Sequence, residues 1–404
     1  MAATAADRDA LWSRLGTAVA EARLTSTPLL VVDLDAFDAN AADLVHRADG
    51  TPVRLATKSV RVPALLERAL ARPGFRGLLC YTLAEALWLH EEGLSDDLLV
   101  AYPSVDRAAL SRLVTSPKAA AAITLMVDHV DHLDLVDSLR SSRAVPVRVA
   151  IDVDAGLQVA GRHVGPKRSP LHDVADVIRL ARAVSDRQGF RLVGVMTYEG
   201  QVAGVADDVP HHRLRSAVVR RLKSASHAQL ALRRREVARA LDGEVELEFW
   251  NAGGSGSVAE TAQDPTVTEV AAGSGLLVPA LFDHYRSFEP RPAAYFAVPV
   301  VRRPHQLVVT VHGGGFVASG AAGRDRLPVP WAPAGLQLTA LEGAGEVQTP
   351  LTGPTAARLR IGDLVWFRHA KSGELFEHAN EVHLVSGEEV VGSVPTYRGL
   401  GQVF

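Results

Sequence analysis

Apolar and polar positions first repeat at helical spacing. Between residues 7 and 24, Leu11, Leu15, Val19 and Ala22 share one face, so an amphipathic helix is expected there. Residues 28–33, Pro-Leu-Leu-Val-Val-Asp, read as a strand, and Asp35 as the cap of a helix running to Ala48. From residue 53 a regular alternation sets in. Short β-branched runs are followed by Ala/Leu-rich stretches of helical period, the pattern of parallel βα units. Eight strand-like runs fall at 53–58, 77–82, 97–103, 123–128, 145–152, 191–199, 246–253 and 267–275. Helical stretches at 63–71, 84–92, 106–114, 129–139, 171–187 and 212–241 separate most of them, with a shorter one near 257–263. Eight strands close a parallel β/α barrel, whose usual length of about 250 residues suits the span 53–285.

From about residue 292 helical patterning nearly stops. Runs at 298–302, 306–312, 336–341, 363–368, 381–385 and 390–395 are expected to form antiparallel strands between Gly and Pro turns. Pro299 lacks an N–H and is expected to put the first of these at a sheet edge. The fold expected is therefore α/β: a (β/α)8 TIM barrel over 51–290, a helix and strand leading into it over 1–50, and an all-β domain over 291–404.

Composition narrows the class. The 404 residues suit two domains, and 47% hydrophobic with 22% charged residues is globular. The 43 basic and 46 acidic residues leave a net charge of −3 without a Lys/Arg block, so no nucleic-acid partner is expected. The single cysteine, Cys80, excludes an intramolecular disulfide and a cysteine zinc cluster, and reads as buried packing on the second strand. The opening residues carry early acids and no long apolar core, and no apolar run reaches spanning length. A cytoplasmic protein without a membrane partner is the expectation.

In a β/α barrel the chemistry gathers at the C-terminal ends of the strands. The side chains expected there are Lys58, Tyr81, Tyr102, Asp128, Asp152, Tyr198, Asn251 and Ser274. By position alone Lys58 reads more readily as a surface-loop lysine just past the strand. Two glycine-rich segments change that balance. Asn251-Ala-Gly-Gly-Ser-Gly-Ser257 follows strand seven and Ala271-Ala-Gly-Ser-Gly275 ends strand eight, where barrels of this kind recurrently hold phosphate. Glycines let backbone N–H groups approach an anion.

These pieces, in this order, resemble the alanine racemase-like PLP-dependent (pyridoxal 5′-phosphate) enzymes of fold type III. Within them the chain is most similar to the D-threonine aldolase and D-serine dehydratase group. The resemblance runs from about residue 27 to the end. It rests on Thr27-Pro-Leu-Leu-Val-Val-Asp33, Val53-Arg-Leu-Ala-Thr-Lys58, Gly161-Arg162-His-Val-Gly165, Val195-Met-Thr-Tyr198-Glu-Gly200, Gly253-Gly-Ser-Gly256, Thr268-Glu-Val-Ala-Ala-Gly273-Ser-Gly275 and Arg368-His369-Ala-Lys371. It implies that Lys58 carries PLP as a Schiff base and that Gly254, Ser255, Gly256, Gly273 and Ser274 cradle its phosphate. Tyr198 and Asn251 would line the cofactor. Arg162 would lie near cofactor or substrate, and Tyr285 would reach the phosphate. Arg162 as a solvated loop residue and Tyr285 as a core residue are the plain alternatives.

Two departures bear on function. The aldolase and dehydratase group has a His-x-Cys or His-x-Asp metal pair where this chain reads His369-Ala-Lys371. A protonated lysine has no lone pair for a cation. Either the divalent metal is absent, or Glu374, His378, Glu381 or His383 joins His369 as ligand, or Lys371 supplies the positive charge itself. The reading favours no conventional paired site and keeps His369 as the one candidate metal ligand, its partner unidentified. The racemases also place an arginine against the pyridine nitrogen, where this chain has Ala271.

The resemblance thus implies a homodimeric lyase that cleaves a β-hydroxy-α-amino acid by a D-threonine aldolase-like retro-aldol step, the substrate amine displacing Lys58 to form an external aldimine. His369 is the expected base or hydroxyl-orienting group, and Lys371 would stabilise the developing alkoxide. A D-amino acid dehydratase or deaminase, or a racemase, uses most of the same residues. From another class, a non-catalytic PLP-binding protein would be a barrel alone, and the second domain argues against it. Val311-His-Gly-Gly-Gly-Phe316 resembles a hydrolase oxyanion loop, but no G-x-S-x-G elbow accompanies it, so a tight turn is expected. His211, His212 and the basic run 220–223 read as a solvated helix face.

Overall fold

The computed structural model describes residues 3–140, 145–159, 161–210, 212–287 and 289–404. Eight parallel strands close a barrel: Val53–Ala56, Phe75–Cys80, Leu98–Val100, Ile123–Val127, Val147–Asp152, Phe190–Thr197, Phe249–Ala252 and Glu269–Ala272. Each of the eight runs read from the pattern supplies one strand, and the last pairs with the first through Val270 and Val53. Alternation along each strand divides the side chains between two faces. Leu98 and Val100 join the main core against the helices, whereas Leu99 joins Met126, Ala150, Val193, Met196 and Phe249 in a separate buried cluster. A Cβ at position 194 would overlap the Phe249 ring, so Gly194 makes that cluster's largest member possible.

The helices among the described residues follow the expected stretches, with the additions of the single turns Gly200–Ala203 and Ser274–Leu277 and of Pro117–Ala122, started by Ser116 and a proline in its first turn. The helix Leu34–Arg47 is capped by Asp33, not Asp35. Asp33 ends the preceding strand in extended geometry, and its carboxylate accepts from Ala36 N at 3.1 Å. Asp35 reaches away to Gly387 N at 2.8 Å. The basic run on the long helix Arg213–Leu241 is less solvated than expected: Arg220 donates to Asp207 O at 2.7 Å and Lys223 pairs with the Asp207 carboxylate. His211 lies outside the described residues. Cys80 is a fully buried free thiol, as its place on a strand suggested.

The second sheet is not built from residues 291–404 alone. The early strand Leu29–Asp33 lies within it, antiparallel to Ala294–His305 and parallel to Glu381–Ser386. The helix Ala5–Glu21 covers it: Trp12 Nε1 donates to Leu364 O at 2.8 Å, and Leu15 and Val19 are buried against Val31 and Trp366. Two strands escaped the pattern, Val329–Ala332 and Gln348–Thr352, and the run at 336–341 shortens to Gln337–Leu338. Pro299 is not on an edge strand, because Ala294–His305 pairs with three neighbours. The proline falls where Leu29–Asp33 has ended, opposite Ala297, and Val308–His312 begins, opposite Val300, so its missing donor breaks no ladder there.

One junction between the domains sets the β domain over the C-terminal mouth of the barrel. After strand Leu364–Arg368 the chain turns against that mouth, where Ala280 N donates to His369 O at 3.0 Å and Leu281 N to Ala370 O at 3.2 Å. Gly373 has φ +99°, and a Cβ there would overlap the Lys58 carbonyl, so only glycine lets the β domain come this close.

Candidate active site

Lys58 ends the first barrel strand in a short 3-10 turn, Thr57–Ser59, fastened by Thr57 Oγ1 donating to Leu79 O at 3.1 Å. Its ammonium enters a cavity of about 310 Å³ at the C-terminal mouth of the barrel and donates to Tyr102 OH at 2.8 Å. Burial alone would raise the Tyr102 phenol. The Lys58 charge and hydrogen bond, with Arg168, outweigh burial and bring it below its usual value. Arg168 lies over both tyrosines of this wall, 5.7 Å from the Tyr102 ring and 5.6 Å from the Tyr198 ring. It makes no hydrogen bond or ion pair with the described residues. Behind it Asp152 is buried, and burial, with Asp128 and Asp154 adding, pushes its carboxyl up to about 7 against the pull of Arg168.

The two glycine loops meet on the wall beside the lysine turn, since strand eight pairs with strand one. Ser255 Oγ accepts from Gly275 N at 2.9 Å and Gly273 N at 3.3 Å, and the Ser59 and Ser274 hydroxyls are 2.9 Å apart. Close packing requires the glycines: a Cβ at 254 would sit 2.8 Å from Ala203 Cβ, one at 256 would sit 2.6 Å from the Tyr285 ring, and one at 273 would overlap the Ala56 carbonyl. Glu199, fully buried, underpins the first loop. It accepts from Gly253 N at 3.1 Å and from Thr261 Oγ1, and pairs with the buried Arg234 at 3.0 Å.

The β domain closes the third side with Arg326, Lys371, Ser372 and Glu374. Lys371 Nζ donates to Ser319 Oγ at 2.7 Å. Burial lowers its pKa, Glu374 opposes this, and Lys58 and Arg326 add to the lowering. Among the described residues the cavity lining holds five cationic side chains, Lys58, Arg61, Arg168, Arg326 and Lys371, against one carboxylate, Glu374. Anions belong here.

Of the side chains expected at the site, Lys58, Lys371, Tyr198, Asn251, Gly254, Ser255, Gly273, Ser274 and Tyr285 all line the cavity. Asn251 is tied from below by its donation to Glu269 at 2.8 Å, and Tyr285 OH donates to Ala203 O at 3.2 Å. Gly256 lies just behind the lining. Arg162 does not reach it. The hairpin Leu157–Val159/Arg162–Val164 leaves Arg162 exposed and outside the lining, and the chain brings in Arg168 instead. His369 is also withdrawn. It is 3% exposed, and burial beside Arg368 pushes its pKa down to about 3, which removes the near-neutral basicity expected of it. Its Nε2 faces Ser372 Oγ at 3.2 Å. The other proposed metal partners scatter: His378 stacks on Phe316, His383 bonds Ser393, and Glu374 caps Ser319 N at 2.8 Å. No group of three His, Cys, Asp or Glu converges among the described residues. The donors around Lys371 do not fit a divalent cation, because the position beside His369 presents an ammonium.

A parallel barrel with a lysine on strand one, glycine loops on strands seven and eight and a β domain at its mouth defines a known class. The chain belongs to the family described as alanine racemase, N-terminal domain, which matches residues 32–278. Its relatives include a 3-hydroxy-D-aspartate aldolase from Paracoccus denitrificans (strain Pd 1222), 26% identical over 61% of this chain and 59% of that protein. A D-threo-3-hydroxyaspartate dehydratase from Delftia sp. (strain HT23) is 28% identical over 43% of each chain. The chain thus matches less than two thirds of the length of either relative. Among solved structures, D-threonine aldolase from Filomicrobium marinum shares the fold with a TM-score of 0.76 at 22% identity, over 94% of this chain and 96% of that one. The dehydratase from Delftia sp. HT23 does so at 0.71 and 20%, over 92% and 98%. The family implies PLP. The cavity fits it: a primary amine shares it with the backbone amides and serine hydroxyls of the glycine loops, and the one carboxylate in the described lining, Glu374, comes from the β domain. No helix among the described residues is long and apolar enough to cross a membrane.

Proposed function

We propose that this protein is a PLP-dependent lyase that cleaves a β-hydroxy-α-amino acid between Cα and Cβ. The observation that carries the reading is the Lys58 amine sharing one cavity with the paired glycine loops and with Lys371 from the β domain. When bound, PLP supplies the electron sink for the pair released from the Cα–Cβ bond. Lys58 would hold it through its amine. Ser255, Ser274 and the backbone of Gly254, Gly256 and Gly273 would receive its phosphate, with Tyr198, Asn251 and Tyr285 at its sides.

Arg168 is the group for the substrate α-carboxylate. Its guanidinium is held over two aromatic rings with its donors free, which suits a bidentate partner. Lys371 is placed to stabilise charge on the β-oxygen without a metal. Tyr102, its phenol drawn down by Lys58, lines the same cavity and would exchange a proton with the β-hydroxyl. His369 then acts one step removed, by orienting Ser372 in the lining. The excess of cations also favours an anionic substrate side chain, in keeping with relatives named for 3-hydroxyaspartate. The reading takes the protein as a cytoplasmic homodimer, which the family resemblance supports.

The test has two stages. Wild type and Lys58→Ala are incubated with PLP and dialysed, and the visible band of lysine-bound PLP is recorded; it is expected in wild type alone. Wild type is then given 3-hydroxyaspartate and threonine isomers. Glycine with an aldehyde or glyoxylate marks carbon–carbon cleavage. A keto acid with ammonia marks elimination instead, and no product with a normal band leaves a PLP-binding protein without this chemistry.

A further inference from the structure

Glu85 is a buried acid that the proposed chemistry does not use. Glu85 opens the helix Leu83–Glu91, is fully buried and does not line the cavity. Its Oε2 accepts from Tyr81 N at 2.8 Å and its Oε1 from Tyr397 OH at 2.9 Å. Tyr397 comes from the far end of the sequence. Its ring packs edge-on against Trp88 at 5.0 Å and against Phe404 at 5.7 Å, and Phe404 in turn meets Trp88 and Tyr81. The backbone of the same residue continues to the lysine turn. Tyr397 N donates to Arg61 O at 2.9 Å, and Arg61 Nε donates to Lys58 O at 3.2 Å. Arg61 holds a left-handed backbone, φ +51°, a conformation a non-glycine residue keeps only when its surroundings enforce it. Its side chain is pinned by Glu377 at 2.6 Å and by the Tyr81 ring.

We infer that Glu85 and Tyr397 are positioning residues for Lys58: the segment 396–404 latches helix Leu83–Glu91 to the lysine turn, and the latch responds to protonation of Glu85. The inference rests on Lys58 being the PLP lysine. Burial pushes the Glu85 carboxyl up to about 7, against hydrogen bonds from Thr57, Tyr81 and Tyr397 and the charge of Arg61. The ionisable and charged groups around it are Arg61 and Cys80 from the first two barrel strands and their loops, Tyr81, and Tyr397 from the closing segment. Below pH ~7 the acid is neutral and the latch buries no net charge at Glu85. In the opened turn Glu85 meets water and ionises in the ordinary carboxylate range, so the latch weakens as pH climbs from that range to about 7 and is constant above it.

The test reads the turn directly. Hydrogen–deuterium exchange of the 57–61 backbone is measured in the cofactor-free full chain, as protection factors from pH 5 to 8, for wild type, Glu85→Gln and Tyr397→Phe. In parallel the visible band and PLP retention are followed over the same range. Wild type is expected to lose protection at 57–61 as pH rises from about 5 to about 7, to level off above that, and to retain PLP less well at the upper end. Glu85→Gln keeps the latch neutral and should flatten both profiles. Tyr397→Phe removes one hydroxyl and should lower protection of 57–61 about tenfold below pH 7. Wild-type profiles in Glu85→Gln, or wild-type protection in Tyr397→Phe, overturn the inference. Should Glu85→Gln fail to fold, the single-hydroxyl variant still decides. A wild type without a band defeats the PLP reading of Lys58, whereas the exchange profiles judge the latch separately.

Discussion

The two mouths of the barrel treat charge in opposite ways. At the N-terminal mouth the buried Arg54 is fully partnered. It meets Glu269 at 2.6 and 2.8 Å and Asp97 at 2.8 Å, and Glu269 also receives Asn251. Although burial opposes its charge, these carboxylates hold Arg54 protonated more firmly than usual. Arg148 and Arg191 share Glu248 in the same way. At the C-terminal mouth five cations face the cavity with one carboxylate among them; Arg61 and Arg326 are paired with Glu377 and Asp325, but Lys58 and Lys371 donate only to hydroxyls and Arg168 has only ring faces beneath it. Charges that complete one another hold a fold together. Charges left open in a concavity await a ligand.

The contrast can be broken at either end. The largest effect is expected from Lys58→Ala, which should abolish the PLP band and lower turnover by at least ~10³-fold with melting unchanged. Arg54→Ala does the reverse. It strands Glu269 as a buried, unpaired charge, so chemical denaturation should report a loss of about 3–5 kcal/mol, while the fraction that stays folded still binds PLP. Asp152, between the mouths in character, gives a pH test. Its folded-state pKa of about 7 lies above the unfolded value, so the folded protein holds the proton more tightly. Its contribution is therefore fully present below about pH 4 and is lost as pH rises through 7, amounting to roughly 4 kcal/mol across that window. Asp152→Asn should remove this component from denaturation curves of the cofactor-free protein. Unchanged pH dependence in the variant would refute the assignment. The smallest effects belong to the open cations. Arg168→Ala and Lys371→Ala should each lower kcat/KM by about 10- to 100-fold without altering stability. Lys371→Ala should act more on kcat, and on 3-hydroxyaspartate more than on threonine.

What could be read along the chain was whatever depends on neighbours in sequence. Strand and helix periods, the glycines after strands seven and eight, and the lysine ending strand one are local signals, and all eight strands formed where their runs lay. What escaped depends on residues far apart. Nothing near Leu29–Asp33 says that it pairs with Ala294–His305 and Glu381–Ser386. The arginine expected near the cofactor was sought at Arg162 because its motif is there, but the hairpin turns that side chain outward and delivers Arg168 six residues later. Tyr102 stood at a strand end in the sequence, yet its partnership with Lys58 needs two strands' geometry at once. Glu199 stands inside the 195–200 motif without a role readable there, and its partner Arg234, which completes the support of the first glycine loop, lies outside every motif.

Periodicity and the chemistry of residues at one place were enough to specify the barrel, the strand-one lysine, the glycine loops and the lysine standing two residues after His369. Which of these groups keep an open charge was settled only by packing in three dimensions. Burial beside Arg368 drew His369 out of the acid–base range, while the β domain's approach over Gly373 brought Lys371 to the cavity that Lys58 enters. Protonation and reach follow from the surroundings of a side chain, and those surroundings exist only once distant segments have packed.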